Sequence, residues 1–64
     1  MIYVTRLNGE RLALNIDIIE QMEETPDTVI TLTTGKKLVV RESMHKIRED
    51  IISFRKRSLT KIKK

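Results

Sequence analysis

The side chains whose grouping could suit acid–base chemistry are His45, the carboxylates Glu20, Glu23 and Glu24, and the adjacent pair Glu49 and Asp50. A general base needs an orienting partner and a nucleophile within hydrogen-bond reach, and the sequence places neither beside His45, which is followed by Lys46. Paired carboxylates at these spacings read as solvated charges. The chain has no cysteine, which excludes a disulfide framework and a Cys-based zinc site, and a lone histidine builds no metal site by itself. Gly9 and Gly35 are isolated and form no phosphate-cradling loop. No catalytic, cofactor-binding or metal-ligating set is expected.

The basic residues carry more information. Residues 1–54 hold seven Lys/Arg against all nine Asp/Glu, a net −2, whereas residues 55–64 hold six Lys/Arg and no acid, a net +6. A slightly acidic body therefore carries a basic tail of Arg55, Lys56, Arg57, Lys61, Lys63 and Lys64. That asymmetry suits an anionic contact such as a membrane surface, nucleic acid or an acidic protein, and equally a solvated C-terminus. Arg6, Arg11, Lys36, Lys37 and Arg41 could also meet phosphates. A net-acidic body without aromatic platforms at strand spacing disfavours nucleic acid.

The elements that position these groups follow from patterning. Ile2 and Val4 alternate with Tyr3 and Thr5, a strand over residues 1–6. Asn8-Gly9 is a hairpin turn in which both residues tolerate positive φ, and Leu12 and Leu14 alternate in a returning strand. Residues 16–24 read either as helix, from Ile18, Ile19 and Met22, or as strand, from Ile18, Glu20 and Met22; a short turn at 15–17 followed by a strand is favoured. Thr25-Pro26-Asp27-Thr28 is a turn, with proline setting φ and Asp27 offering a hydrogen-bond acceptor. Thr28 to Thr33 is then a strand with Ile30 and Leu32 inward and Val29, Thr31 and Thr33 on a wet face. Gly35 turns the chain, and Leu38 and Val40 return along it.

Ser43 suits an N-cap, and Met44, Ile47, Ile51 and Phe54 form one stripe of an amphipathic helix, with Ile52 off the stripe as a second contact surface. Leu59 and Ile62 extend the pattern into the tail. The fold class expected is α+β: a small antiparallel sheet or partly closed barrel of about five strands with one C-terminal helix. One domain spans residues 1–54, and residues 55–64 are a basic tail that is helical or disordered. With only Tyr3 and Phe54 as aromatics, the core is aliphatic and small, so association with a second copy is a reasonable way to complete burial. No basic segment followed by a long apolar run opens the chain, and no apolar run approaches the roughly 20 residues that span a bilayer, which gives a cytoplasmic expectation.

Beyond these physical readings, Met1 to Gly9, the segment Ile18 to Lys37 and the junction Val40-Arg41-Glu42-Ser43 resemble the FlbD/SwrD family of flagellar and swarming-motility proteins. The VTRLNG, TPDT and V-[KR]-E-S elements occur in order over residues 1–54. Ala13, Leu14 and Leu38 stand where such sequences often carry a bulkier residue. The resemblance implies a non-enzymatic cytoplasmic accessory of motor power, bound to a motor or stator protein at the inner membrane face near the basal body. It carries over no catalytic or ligand residue. Arg6 and Glu42 are the motif residues whose types backbone geometry does not demand, so they are expected to be partner contacts or an ion pair fixing sheet to helix. Arg41, Lys36 and Lys37 are further candidate contacts. The opening MIYVTR and the late Val-Arg-Glu are also similar to the small dimeric RNA-binding regulators of the carbon-storage type, which would place Arg6 and Arg41 on RNA. The segment TPDTVITLTTGKK has no counterpart there.

Overall fold

A computed structural model describes the backbone of residues 1–62 and side chains through residue 57. Lys63 and Lys64, and the side chains of Leu59, Lys61 and Ile62, lie outside the described residues. The chain runs β1 (Ile2–Thr5), β2 (Arg11–Leu14), a 3-10 turn (Ile16–Ile18), β3 (Ile19–Glu24), β4 (Thr28–Leu32), β5 (Lys37–Val40) and α1 (Met44–Ile62). The expected α+β class is thus observed, and among the described residues the strands close no barrel.

β1 pairs with β2, and β3, β4 and β5 form a second antiparallel sheet. An antiparallel bridge between Arg6 and Val40 joins the two sheets, and the Arg41 N–H donates to the Thr5 carbonyl at 2.8 Å beside it. The strands therefore follow one another as β2-β1-β5-β4-β3.

The two hairpins that end in glycine share one loop scheme. The Gly9 N–H donates to the Arg6 carbonyl (2.9 Å) and the Arg6 N–H to the Glu10 carbonyl (2.7 Å); Gly35 with Leu32 and Leu32 with Lys36 repeat the pattern, each at 2.8 Å. Gly9 and Gly35 have φ of 95° and 93°, and no other described residue has positive φ. Asn8 therefore departs from expectation. It sits in a turn closed by a left-handed glycine, where only the glycine needs positive φ, and its Oδ1 accepts from the Glu10 N–H at 2.9 Å.

The segment 15–24 resolves as turn then strand. Asn15 Oδ1 accepts from the Asp17 N–H at 2.9 Å and starts the 3-10 turn. Alternation through Ile18, Glu20 and Met22 does not hold, because a register shift between Ile19 and Gln21 leaves Glu20 as an extra residue. The bulge lets Ile19 and Met22, three apart, both pack on the core. The Thr25–Pro26 peptide is cis, and the Thr25 N–H donates to the Asp27 carbonyl at 3.2 Å. Thr31, expected on a wet face, is buried, because on the central strand it is flanked by Gln21 and Lys37.

The core gathers Val4, Ile30, Val40 and Ile47, all essentially without solvent exposure, with Ile2, Leu14, Leu32 and Leu38 around them. Helix α1 lies across it by the expected stripe: Ile47 is fully buried, and Ile51 and Phe54 pack half-buried beside it. The helix start is held twice. Ser43 Oγ accepts from the Lys46 N–H at 3.1 Å, the expected cap, and Glu24 Oε1 accepts from the Met44 N–H at 2.9 Å. The helix passes residue 55 without a break and runs to Ile62.

Candidate functional site

Residues 5–9 and 39–43, far apart in sequence, form one junction where the two sheets and the helix meet. The bridge between Arg6 and Val40 sets the register. One step along, Glu42 lies over Thr5 and receives two hydrogen bonds, from the Thr5 N–H (2.8 Å) and from Thr5 Oγ1 (2.7 Å). Burial alone would push the Glu42 carboxyl up, but the Thr5 hydrogen bonds, its own backbone N–H and the Arg11 charge outweigh it and hold the carboxyl below its ordinary value.

Arg41 points the other way. Its Nε (3.2 Å) and Nη2 (2.7 Å) both donate to the Leu7 carbonyl, so one planar guanidinium forks the tip of the first hairpin. The expected ion pair between Arg6 and Glu42 does not form. The Glu42 carboxylate is taken by Thr5, and Arg6 Nε, itself shielded from solvent, lies 3.4 Å from Glu10 Oε1 without hydrogen-bond geometry.

What this fixed junction displays is partly apolar. Leu7, 48% exposed, stands at the hairpin tip, and Val39, 38% exposed, stands on the outward side of β5. With Arg6, Asn8 and Lys37 they line a shallow depression of about 330 Å³. Of the expected contact residues, Arg6 and Lys37 border this patch, Arg41 is exposed and bonds the Leu7 carbonyl, and Lys36 is exposed in the next loop. Glu42 faces a different concavity, a groove of about 430 Å³ between β1 and α1, with Tyr3, Arg11, Lys46 and Arg57 around it. Sequence reading missed Leu7 and Val39. The available signal for Leu7 was an apolar residue immediately before Asn-Gly, where a hairpin tip ordinarily carries polar groups.

Among the described residues no group of three or more His, Asp or Glu could hold a metal ion. No helix among them is long and apolar enough to cross a membrane. Compared with known proteins, residues 1–59 match a family model described as FlbD, flagellar and swarming motility proteins. No curated protein and no solved structure matches.

Proposed function

The chain belongs to the FlbD family of flagellar and swarming motility proteins, and from that premise we propose that it is a non-enzymatic accessory of motor power that works by binding another protein. The observation that carries this reading is the Leu7–Val39 patch: an exposed apolar side chain on the hairpin tip that Arg41 anchors and another on the adjacent face of β5, rimmed by Arg6 and Lys37. An apolar centre with a polar rim is the make-up of protein interfaces, and an anchored backbone lowers the cost of binding. The partner is a motor or stator protein at the cytoplasmic face of the inner membrane, and binding promotes stator engagement or stator–rotor stability.

RNA binding through Arg6 and Arg41 is the competing reading, and the geometry favours it less. The Arg41 fork already satisfies the Leu7 carbonyl, and releasing it toward a phosphate would loosen the hairpin.

The test is rotation torque of tethered flagellated cells carrying Leu7→Asp or Val39→Asp, with filament number and stator abundance counted in parallel. Torque lost at unchanged filament number and stator abundance is the expected result. Unchanged torque per motor with altered abundance of flagellar proteins would replace this reading with the RNA-binding one.

A further inference from the structure

Helix α1 presents three faces, of which one packs on the core and a second borders an open groove. Ile47, Ile51 and Phe54 pack on the core, and Lys46, Asp50, Ser53 and Arg57 line the groove beside β1. At 100° per residue the remaining face carries His45, Arg48, Ile52, Arg55 and Lys56, all exposed. Ile52, 43% exposed, is the apolar residue at its centre. Arg48, Arg55 and Lys56 stand at i−4, i+3 and i+4 from it, the positions that neighbour it on a helix surface. Glu49, at i−3, is the acid bordering this face. Among the described residues Arg48 and Arg55 meet no carboxylate.

Charge is also sorted along the helix. Residues 51–64 contain six Lys/Arg and no acid. At the opposite end Glu24 sits on the helix start, on an edge strand that also exposes Glu20 and Glu23. From Met44 to Arg57 the helix rises about 20 Å, so Arg55 and the acid-free stretch that follows Asp50 lie toward the end away from Glu24, while Arg48 stands about 6 Å along from Met44.

We propose that this face docks on an anionic phospholipid bilayer, with Ile52 entering the headgroup–acyl boundary and Arg48 and Arg55 meeting lipid phosphates. An exposed apolar residue with cations at three of its four helix-surface neighbours, and Glu49 at the fourth, combines the apolar insertion and the anionic-lipid attraction by which interfacial helices bind. A nucleic-acid backbone would draw on the cations but gain nothing from Ile52, and the face has no aromatic on which a base could stack. The sorted charge orients the molecule, keeping the acidic β3 edge away from the anionic surface. This inference stands apart from the protein-binding patch, which uses other residues.

The experiment is flotation of the full chain with vesicles of phosphatidylglycerol and phosphatidylcholine, against phosphatidylcholine alone, at low and physiological salt. Binding to the anionic vesicles that falls steeply with salt, and none to the neutral ones, is expected. Arg48→Gln with Arg55→Gln should weaken binding about 30-fold, and Ile52→Ser by several-fold to about tenfold, with helical circular dichroism unchanged. Equal partition of the wild-type chain onto both vesicles would overturn the proposal without any variant. So would anionic binding that ignores the substitutions in folded protein, or tighter binding to single-stranded RNA that is indifferent to Ile52→Ser.

Discussion

Thr5 and Glu42, 37 residues apart, are joined by two hydrogen bonds that end on the two oxygens of one carboxylate. The contact ties the last residue of β1 to the residue that leads into α1, so it couples sheet and helix. Because one donor is the Thr5 hydroxyl and the other its backbone N–H, the two can be separated by mutation. Thr5→Val removes only the hydroxyl bond, and Glu42→Gln keeps the shape while removing the charge. Each should lower stability by about 1 kcal/mol, since charge-assisted bonds exceed neutral ones but this site is partly exposed. In a domain of this size that corresponds to a fall in Tm of about 4–8 °C. A double-mutant cycle by thermal melting should show the two losses to be less than additive, and full additivity would mean that the contact is absent in solution.

The same carboxylate sets an acid dependence. The Glu42 carboxyl is held below its ordinary value of 4.5 in the folded chain, through Thr5 and Arg11 against the opposing effect of burial. A carboxyl depressed by folding contributes stability that is complete above its unfolded pKa and is lost as pH falls through its folded one. Wild-type protein should therefore lose part of its stability as pH drops below about 4.5, and Glu42→Gln should lack that part. Denaturant melts across pH 2–6 measure it. Parallel curves for the two proteins would contradict the assignment.

Ile47 is the helix residue wholly enclosed by the core. Truncating it leaves a cavity beneath α1 that an aliphatic core this small refills poorly. Ile47→Ala should cost about 2–5 kcal/mol, enough to leave a chain of 64 residues partly unfolded at 37 °C. Ile52→Ala, on the exposed face of the same helix, should stay within about 0.5 kcal/mol of wild type. Equilibrium urea unfolding of the two variants makes the comparison.

Much of this fold was legible in local pattern. The period-two runs around Val4, Ile30 and Val40 gave the strands, the Met44–Phe54 stripe gave the helix, and Ser43 was correctly read as its cap. Features set by tertiary approach were not legible. Glu24 reaches the helix start across 20 residues, and Glu42 finds Thr5 rather than Arg6, because the bridge between Arg6 and Val40 sets the register that brings Thr5 to the carboxylate. The bulge at Glu20 is similar: composition offers both periods, and only the register against β4 selects one. Of the site, the basic residues were visible by type. The apolar patch was not, since its exposure depends on where Arg41 anchors Leu7.

Gly9 and Gly35 offer a matched pair. Both close loops of the same hydrogen-bond scheme with φ near 95°, and a Cβ at either would meet no clash, the nearest atom being Arg41 Nη2 at 3.9 Å from the Gly9 position. The cost of alanine is then conformational at both, about 1–2 kcal/mol, and Asn should recover part of it. Thermal melts of Gly9→Ala and Gly35→Ala should agree within about 0.5 kcal/mol. A much larger loss at Gly9 would mean that the hairpin tip sits closer to Arg41 than this geometry has it.

Arg41 separates rigidity from charge at the proposed protein-binding patch. Its fork onto the Leu7 carbonyl needs two N–H groups in one plane, which an ammonium on a flexible stem does not supply. Arg41→Lys keeps the charge and the outward position, so the global loss should be small, about 0.5–1 kcal/mol. The local effect should be larger: amide hydrogen exchange at Leu7, Asn8 and Gly9 should speed up while exchange in β4 stays at the wild-type rate. If the partner reads a preorganised tip, torque should fall in Arg41→Lys cells although Leu7, Val39 and the net charge are intact. Loosened exchange with full torque would show that the partner orders the tip itself. It would also move the binding energy of this patch onto Leu7 and Val39 alone.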